Sequence, residues 1–327
     1  MKDKSYYRAF ISAVCLLLIL PALVATGCKK SSAGGDAPPV DTTPVQQTPV
    51  VVASSSLFGN GVDLQPSYYN SGNPEIDWAL MQQQSKIKTL RIEIEPNFVT
   101  QAKTWISQAR SSGYAVIATY HKAAVLGSDN ASDLNDAANW WVTNYATLAA
   151  SGSFTINLMN EWGDHNLTAN AYAADYNAAM ATVRTVYSGA IIIDIPGWGQ
   201  ETAIASAAAQ GLNGGTKISD TNYILSAHIY PGAYNQAKGR YVNTSDLDDL
   251  ASSGRPCIIG EFGNSGGSGA DWSGIVDYAL NKKWAVLAWC WNGDGGTMNM
   301  VSPSWATSGT ATSFTLSSYF SIVYAKL

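Results

Sequence analysis

Residues 88–121 read KTLRIEIEPNFVTQAKTWISQARSSGYAVIATYH and contain the pattern that decides the fold. Two short apolar runs, at residues 88–94 and 114–120, flank an amphipathic stretch from Phe98 to Ser112. Apolar runs of this length are typical of buried strands, and the stretch between them has the length and spacing of a helix. The segment therefore predicts a strand, a helix and a second strand.

The same alternation continues from residue 57 to the end of the chain. Further strands are predicted near residues 58–63, 153–159, 190–195, 223–229, 257–261 and 285–290. Further helices are predicted from Pro74 to Ser85, Ser132 to Ala150 and Ala169 to Tyr187, and a last stretch from Ser313 to Lys326 can close the ring. Eight such units predict a single (β/α)8 TIM barrel, whose usual size is about 250 residues. An open doubly wound sheet is the alternative, but residues 59–64 (GNGVDL) lack the third glycine of a dinucleotide-binding turn.

The composition of the 327-residue chain excludes two classes of protein. Its 19 basic and 24 acidic residues give a net charge of −5, and no cluster of Lys and Arg follows residues 29–30. The positive surface that a nucleic-acid-binding protein needs is therefore missing. Although only 13% of the residues are charged, the chain contains 17 Tyr, 11 Trp and 29 Gly, which is not the composition of a disordered polymer.

The first residues form a pattern typical of export signals. Three basic residues precede an almost wholly apolar run at residues 9–25. A transmembrane anchor is the alternative, but Pro21 and the small residues before Cys28 fit cleavage better. Residues 25–28 (ATGC) resemble a bacterial lipobox, which implies cleavage before Cys28 and attachment of diacylglycerol to its sulfur. Residues 1–27 are therefore predicted to be a lipoprotein signal peptide, and the mature protein to be anchored to a lipid bilayer on its periplasmic or cell-surface face.

Residues 28–56 contain no aromatic residue and are rich in Ser, Gly, Pro, Thr, Gln and Val. Such a segment cannot bury enough apolar surface to offset the entropy of ordering, so we predict a flexible, disordered tether. Residues 57–327 are then the folded domain, which we expect to be monomeric. This domain has two cysteines, Cys257 and Cys290. A bridge between them is the alternative, but the predicted strands place them at different heights, so two buried thiols are expected.

Polar residues end several of the predicted strands. They are Arg91, His121, Asn160, Glu161, His228, Tyr230, Glu261 and Trp289. In a (β/α)8 barrel the C-terminal ends of the strands converge on one face, and strands four and seven lie on opposite sides of the ring. Glu161 and Glu261 can therefore flank a glycosidic bond, one of them as general acid and the other as nucleophile. A separation of about 5–5.5 Å predicts retention of configuration. Either glutamate alone is better explained as a strand-end carboxylate paired with a helix N-terminus or an arginine.

The order of these residues resembles glycoside hydrolase family 5. The resemblance rests on Asn160-Glu161, His228-Ile229-Tyr230, Glu261-Phe262-Gly263 and Trp289, preceded by Arg91 and His121. The closer likeness is to bacterial β-mannanases, through residues 160–162 (NEW), 197–200 (GWGQ), 260–263 (GEFG) and 289–291 (WCW). It implies that Glu161 is the acid/base, that Glu261 is the nucleophile and that Asn160 contacts the 2-hydroxyl of the reacting sugar.

The resemblance also implies roles for the neighbouring residues. Arg91 and Tyr230 would keep Glu261 ionised, since a cation and a hydrogen-bond donor favour the charged form. His121 and His228 would orient these groups and contact sugar hydroxyls, and Trp289 would lie beneath the reacting sugar.

Further aromatic and acidic residues lie near the predicted strand ends. Trp162, Trp198 and Trp291, and less strongly Trp305, are candidate sugar platforms, because a pyranose ring presents an apolar face to an aromatic plane. The family does not require Glu93, which shares a strand face with Arg91 by period-two alternation. It is predicted either to bind substrate or merely to pair with Arg91.

Other catalytic patterns fit the chain less well. Residues 263–267 (GNSGG) match the Gly-x-Ser-x-Gly turn of serine hydrolases, but no histidine follows His228, as a partner of Ser265 should. His121, His165 and His228 lack the spacing of metal ligands. Two aspartate groups, at residues 129, 133 and 136 and at residues 246, 248 and 249, lack the spacing of a calcium loop, so helix caps are the better interpretation. We expect no metal and no cofactor.

The sequence thus predicts a retaining, endo-acting hydrolase of β-1,4-linked polysaccharide, with mannan as substrate and cellulose-type β-glucan as the alternative. A non-catalytic glycan-binding lipoprotein is a rival, disfavoured because both glutamates and their supporting residues are present. A serine-type esterase is the third candidate, disfavoured by the order of serine and histidine.

Overall fold

Short apolar runs form a closed ring of eight parallel strands in the computed structural model, which describes residue 54 and residues 57–327. The strands are β1 (Gly61–Leu64), β2 (Thr89–Ile94), β3 (Ala115–Tyr120), β4 (Thr155–Asn157), β5 (Ile191–Asp194), β6 (Tyr223–Ile229), β7 (Cys257–Phe262) and β8 (Ala285–Asn292). They pair in chain order, and β8 closes the ring against β1. The predicted barrel is confirmed. The predicted signal peptide, the lipidation site Cys28 and nearly all of the predicted tether lie outside the described residues.

Helices alternate with these strands and cover the outside of the barrel. They are α1 (Trp78–Gln82), α2 (Val99–Ser111), α3 (Ala131–Ala149), α4 (Ala169–Val183), α5 (Thr202–Gln210), α6 (Thr244–Ser252), α7 (Trp272–Asn281) and α8 (Ser318–Tyr324). Helix α1 is shorter than the predicted helix because Asp77, with a φ of 55°, lies outside the helical region and caps it by accepting from the Leu80 N–H.

Side-chain caps begin several of the longer helices. The Asn130 side chain accepts from the Ser132 N–H, and the Thr168 hydroxyl accepts from the Ala171 N–H. At the start of α6, Asn243 and Asp246 form a reciprocal capping box, and Asp246 also pairs with Lys238. The interpretation of Asp246 as a helix-cap residue is therefore confirmed.

Alternation along each strand separates an outer from an inner set of side chains. On β2, Leu90, Ile92 and Ile94 belong to the large apolar core between the barrel and its helices. Arg91 and Glu93, which are also fully buried, alternate with them and fill the barrel interior. The strand period therefore brings charged groups into the centre of the ring.

The end of the barrel at which the strands begin is closed by a separate apolar cluster. Its members are Phe58, Ile117, Ile192, Ile224, Ile258, Ala285 and Leu287. The chain enters the barrel here, because the Ser54 hydroxyl donates to the Cys257 carbonyl and accepts from the Ala285 N–H at 3.0 Å. This end of the ring is a packed core.

Two further sequence features have a structural outcome. Cys257 and Cys290 are both buried free thiols, as predicted. Among the residues that the structure describes, no helix combines the length and apolar character needed to cross a membrane.

Candidate active site

The two predicted glutamates face one cleft at the end of the barrel where the strands finish. The cleft has a volume of about 290 Å³ and is lined by Tyr68, Glu93, His121, Leu126, Asn160, Glu161, Tyr230, Glu261 and Trp289. A carboxylate oxygen of Glu161 lies within 4.8 Å of one of Glu261, and the His228 ring lies between them. The Nδ1 atom of His228 is 3.0 Å from Glu161 Oε1 and 3.4 Å from Glu261 Oε1.

Glu261 reaches the cleft through an irregularity in the sheet. Ala227 pairs with Ile259, but the next residue, His228, pairs with Glu261, so Gly260 is an extra residue in β7. A Cβ at Gly260 would lie 2.1 Å from the Ser226 hydroxyl oxygen, and only glycine fits there. This bulge directs the Glu261 side chain into the barrel.

Polar contacts hold the Glu261 carboxylate in its charged form. The Arg91 guanidinium lies 2.9 Å from Oε1, and the Tyr230 hydroxyl donates to Oε2 at 2.7 Å. Burial disfavours the charge, but His228, Arg91 and Tyr230 outweigh burial and lower the pKa of Glu261 below its ordinary value. The side chain is therefore a fixed, ionised carboxylate beside an open cleft.

Glu161 lies in a turn beyond β4 rather than at the strand end that the sequence indicated. Its φ is 48°, a left-handed conformation that is rare for a residue with a side chain. The Glu161 N–H donates to Asp194 Oδ2 at 2.9 Å, and its carbonyl accepts from the Gly127 N–H at 2.9 Å. Backbone conformations of this kind are concentrated at functional sites, where surrounding contacts maintain them. Here they direct a partly exposed carboxyl group toward Glu261.

Arg91 is the central cation of the site and is fully buried. Its guanidinium contacts Asp63, Glu93 and Asn157 at 3.0 Å, Glu261 at 2.9 Å, Asp194 at 3.5 Å, and also Asn160. Burial alone would lower the pKa of Arg91, but the surrounding carboxylates raise it well above the ordinary value. One planar side chain thus orients both Asn160 and Glu261.

His228 is the second cation of the site. Burial opposes its charge, but Glu261 and Asp194 outweigh burial and raise the pKa of His228 well above its ordinary value. The pKa of Asp194 falls to about 2, because the charge of His228 and contacts with Arg91 and the Glu161 N–H outweigh its own burial. The barrel centre therefore has two ionised carboxylates, Asp194 and Glu261, opposite two cations.

Two other buried carboxyl groups hold their protons more tightly. Burial raises the pKa of Asp63 well above its ordinary value, despite the contact with Arg91. Burial also raises the pKa of Glu93 to about 7, although His121 and Arg91 oppose the shift. Glu93 accepts from the Gln65 amide at 2.7 Å and lines the cleft while paired with Arg91. Its pairing with Arg91 is confirmed, and contact with substrate stays a prediction.

The cleft also contains a set of groups that could approach a metal ion. Glu161, His228 and Glu261 are a group of potential ligands whose atoms lie within 4.8 Å of one another. Metal ions bind neutral imidazole, whereas Glu261 and Asp194 outweigh burial and raise the pKa of His228 well above its ordinary value, which favours the charged form. Arg91 adds a positive charge 2.9 Å from Glu261. A positively charged guanidinium therefore already lies beside the carboxylate that a metal ion would need.

The predicted tryptophan platforms divide into two groups. Trp289 lines the cleft and donates to Asp294 at 3.1 Å, and Trp198 is 36% exposed. Trp162 and Trp291 are fully buried, and their indole N–H groups donate to the carbonyls of Asn130 and Ile76. The interpretation of Trp162 and Trp291 as sugar platforms is wrong, because neither ring has a face open to solvent. Trp305, 1% exposed, is a packing residue for the same reason.

Several residues of the site were not predicted from the sequence. Asp63 and Asp194 lie at the ends of predicted strands, so an acidic residue beside apolar neighbours was an available signal. Tyr68, in a short 3-10 helix after β1, and Leu126, in the connection after β3, also line the cleft and carried no such signal. The Tyr68 hydroxyl lies 3.2 Å from His121 Nδ1 and 3.1 Å from Glu95 Oε1. Residues in the connections that follow the strands therefore belong to the site as well as the residues at the strand ends.

Two curated proteins are similar in sequence to this chain. β-Mannanase/endoglucanase A of Caldicellulosiruptor saccharolyticus is 30% identical over 206 residues, which cover 60% of this chain and 15% of that protein. Mannan endo-1,4-β-mannosidase of Salipaludibacillus agaradhaerens is 26% identical over 208 residues, which cover 62% of this chain and 64% of that protein. The chain thus spans less than two thirds of the length of either curated relative.

A solved structure has the same fold. The catalytic domain of a mannanase from Streptomyces sp. SirexAA-E superposes with a TM-score of 0.64 at 21% identity, covering 83% of this chain and 85% of that one. Residues 75–295 match the family described as cellulase, glycosyl hydrolase family 5. This match contains both cleft glutamates and most of the barrel. The chain therefore belongs to the cellulase family, glycosyl hydrolase family 5.

Proposed function

We propose that the chain is a retaining, endo-acting glycoside hydrolase that cleaves β-1,4-linked mannan. The observation that carries the proposal is the pair of carboxylate oxygens, one from Glu161 and one from Glu261, within 4.8 Å of each other across an open cleft. Inverting enzymes place the two carboxyl groups about 6.5–9.5 Å apart to leave room for a water molecule. An oxygen-to-oxygen distance of this size is compatible with the carboxyl separation of about 5–5.5 Å in retaining enzymes and supports direct attack by one of the two groups.

The contacts of the two glutamates assign the two roles. Glu261, held ionised by Arg91 and Tyr230, attacks the anomeric carbon. Glu161 is partly exposed and donates a proton to the glycosidic oxygen as that bond breaks, which leaves a covalent glycosyl ester on Glu261. Water then attacks the ester, Glu161 takes its proton, and the Glu261 carboxylate is regenerated with the original configuration at the sugar.

His228 and Asn160 position the reacting groups. The His228 Nδ1 atom lies near an oxygen of each glutamate, so it contacts both carboxyl groups through one ring nitrogen. Asn160 is held by the Arg91 guanidinium and lines the cleft, where its amide can reach the sugar 2-hydroxyl. Trp289 lines the same cleft and supplies an aromatic face for the reacting sugar. His121 is a further contact for sugar hydroxyls.

Mannan is the preferred substrate class in this proposal. Two curated relatives have names that include mannanase or mannosidase activity, and one of them is also named an endoglucanase. The GWGQ segment at residues 197–200, by which the chain resembles bacterial β-mannanases, lies in the turn after β5. A cellulose-type β-glucan differs from mannan in the position of one hydroxyl and is the alternative substrate.

The test replaces each cleft carboxylate by its amide. We expect Glu161→Gln and Glu261→Gln to lower kcat/KM on mannan by about a thousandfold or more, and carboxymethyl cellulose reports on the glucan alternative. Glu75→Gln makes the same chemical change at an exposed residue and should keep the wild-type rate. Near wild-type rates for both cleft variants would contradict the proposal. Binding of mannan by the wild type without hydrolysis would support a glycan-binding protein instead.

We further propose that the chain is exported, anchored to a lipid bilayer through diacylglycerol on Cys28, and monomeric. Export and anchoring are supported by the three basic residues, the apolar run and the ATGC segment at residues 25–28. Metabolic labelling with radioactive palmitate should label the wild-type chain and place it in the membrane fraction. Cys28→Ser should lose the label, and a labelled Cys28→Ser variant would contradict the proposal.

A further inference from the structure

Three successive residues after β5 adopt the left-handed backbone conformation. Gly197, Trp198 and Gly199 have φ values of 67°, 53° and 80°. Glycine adopts such values readily, but a tryptophan does so only with backbone strain. A Cβ at Gly199 would lie 2.6 Å from the His228 backbone nitrogen, so this turn packs directly on β6. The strained turn leaves a large apolar ring 36% exposed.

The exposed indole of Trp198 rests on the backbone beside the cleft. A Cβ at Gly127 would lie 2.2 Å from Cζ2 of Trp198, which shows that the ring covers this glycine. The Gly127 N–H donates to the Glu161 carbonyl, and the preceding residue, Leu126, lines the cleft. Trp198 therefore stands at the rim of the cleft on the side of Glu161.

A contact between His165 and Glu201 supports the indole as well. The ring centroids of His165 and Trp198 are 5.2 Å apart, and His165 Nδ1 lies 2.6 Å from Glu201 Oε1. The Glu201 carboxylate is fully buried and accepts from the N–H groups of Gln236 and Ala237. Glu201 thus fixes the position of the His165 ring, and the His165 ring limits the positions that the indole can take.

We propose that Trp198 is the platform for the sugar on the leaving-group side of the scissile bond, and that His165 and Glu201 are its positioning residues. The inference rests on the proposed function, in which Glu161 protonates the leaving oxygen. The departing sugar therefore lies on the Glu161 side of the cleft, where the indole stands. The ligand is a neutral pyranose of the β-1,4-linked backbone, which presents its apolar C–H face to the aromatic ring.

The test compares a substrate that has a sugar as its leaving group with one that has a single atom as its leaving group. In mannohexaose the leaving group is a sugar, whereas in β-mannobiosyl fluoride it is a single atom that cannot contact a platform. We expect Trp198→Ala to lower kcat/KM on mannohexaose about tenfold more than on the fluoride. Trp198→Phe should lose less, because a ring remains. If the wild type prefers glucan, cellohexaose and β-cellobiosyl fluoride replace this pair.

His165→Ala tests the positioning role. It should reduce kcat/KM selectively on the hexaose, mainly through a higher KM, and by less than Trp198→Ala because the indole itself remains. Equal losses on the two substrates, for either variant, would overturn the inference. A Trp198→Ala variant with wild-type activity on the hexaose would overturn it too.

Two glycines provide a matched pair of controls. Gly127 and Gly254 have φ values of 69° and 68°, so alanine is similarly strained at both. An alanine at Gly127 would displace the indole, whereas a Cβ at Gly254 meets no atom within 4 Å. We expect Gly127→Ala to reproduce the selective loss of Trp198→Ala and Gly254→Ala to keep wild-type rates on both substrates. A selective loss in Gly254→Ala as well would refute the role of the indole.

The substrate pair also separates this inference from the proposed function. A wild type that hydrolyses neither the hexaose nor the fluoride would refute both. A wild type that hydrolyses both, combined with equal losses in Trp198→Ala, would leave the hydrolase intact and refute only the platform.

Discussion

The two ends of the barrel interior are filled by opposite chemistries. Where the strands begin, the interior holds apolar side chains such as Ile117, Ile192 and Ile224. Where the strands finish, it holds Arg91, Glu261 and other buried charges. Burial of the apolar groups stabilises the fold, whereas burial of charges costs desolvation that their pairing must offset. The end where the strands begin therefore stabilises the fold. The end where they finish keeps buried charges whose desolvation lowers stability and which form the active site.

Replacement of Arg91, the central cation, should have the largest effect on stability and activity. Arg91→Met removes the guanidinium that contacts the buried carboxyl groups of Asp63, Glu93 and Glu261. We expect a loss of about 3–5 kcal/mol in the free energy of unfolding and of about a thousandfold or more in kcat/KM. Urea denaturation and initial rates on mannan measure the two effects.

Arg91→Lys keeps the charge but loses the planar fork, so it should recover part of the stability and less of the activity. This variant also keeps the test informative if Arg91→Met does not fold. If folded Arg91→Met has a kcat/KM near that of the wild type, catalysis at the charged end does not depend on Arg91.

A truncation at the opposite end should affect stability alone. Ile192 is fully buried in the apolar cluster, so Ile192→Ala should lower the free energy of unfolding by about 2–5 kcal/mol. Below the unfolding transition, its kcat/KM should equal that of the wild type. Ile322→Ala makes the same change on the exposed side of α8 and should cost less than about 0.5 kcal/mol. A large fall in kcat/KM for folded Ile192→Ala would show that the apolar end of the barrel also affects catalysis.

A smaller effect should appear in the pH dependence of stability. The pKa of Glu93 is raised to about 7 in the folded protein, and that of His121 is raised as well. The folded state then binds protons more tightly than the unfolded state, so stability is lost as pH rises from about 4.5 to about 7. We expect the wild type to lose about 1–3 kcal/mol across this range and Glu93→Gln to flatten the slope.

Urea denaturation at a series of pH values measures this slope. Glu75→Gln, an exposed counterpart, should keep the wild-type dependence. A Glu93→Gln variant with the wild-type slope would assign the titration to other groups.

Much of the barrel could be predicted from the sequence because its signals are local. Apolar runs and amphipathic stretches follow from neighbouring residues, and all eight strands lie within a few residues of their predicted positions. The polar strand ends also carried local signals, so His121, Tyr230 and Trp289 were found and line one cleft.

What could not be predicted depends on backbone geometry rather than on residue type. Strict alternation would have turned Glu261 away from the barrel, and only the bulge at Gly260 explains its direction. Glu161 depends on a left-handed turn that no period describes. Trp162 and Trp198 both follow strands, yet one ring is buried against Tyr176 and the other is exposed, which is decided by tertiary packing.

The contacts of Ser54 at the closed end of the barrel join two strands to a residue far away in the sequence. The Ser54 hydroxyl donates to the Cys257 carbonyl and accepts from the Ala285 N–H, where β7 and β8 begin. These contacts lie at the end of the barrel opposite the cleft, so a ligand can enter the cleft without meeting them.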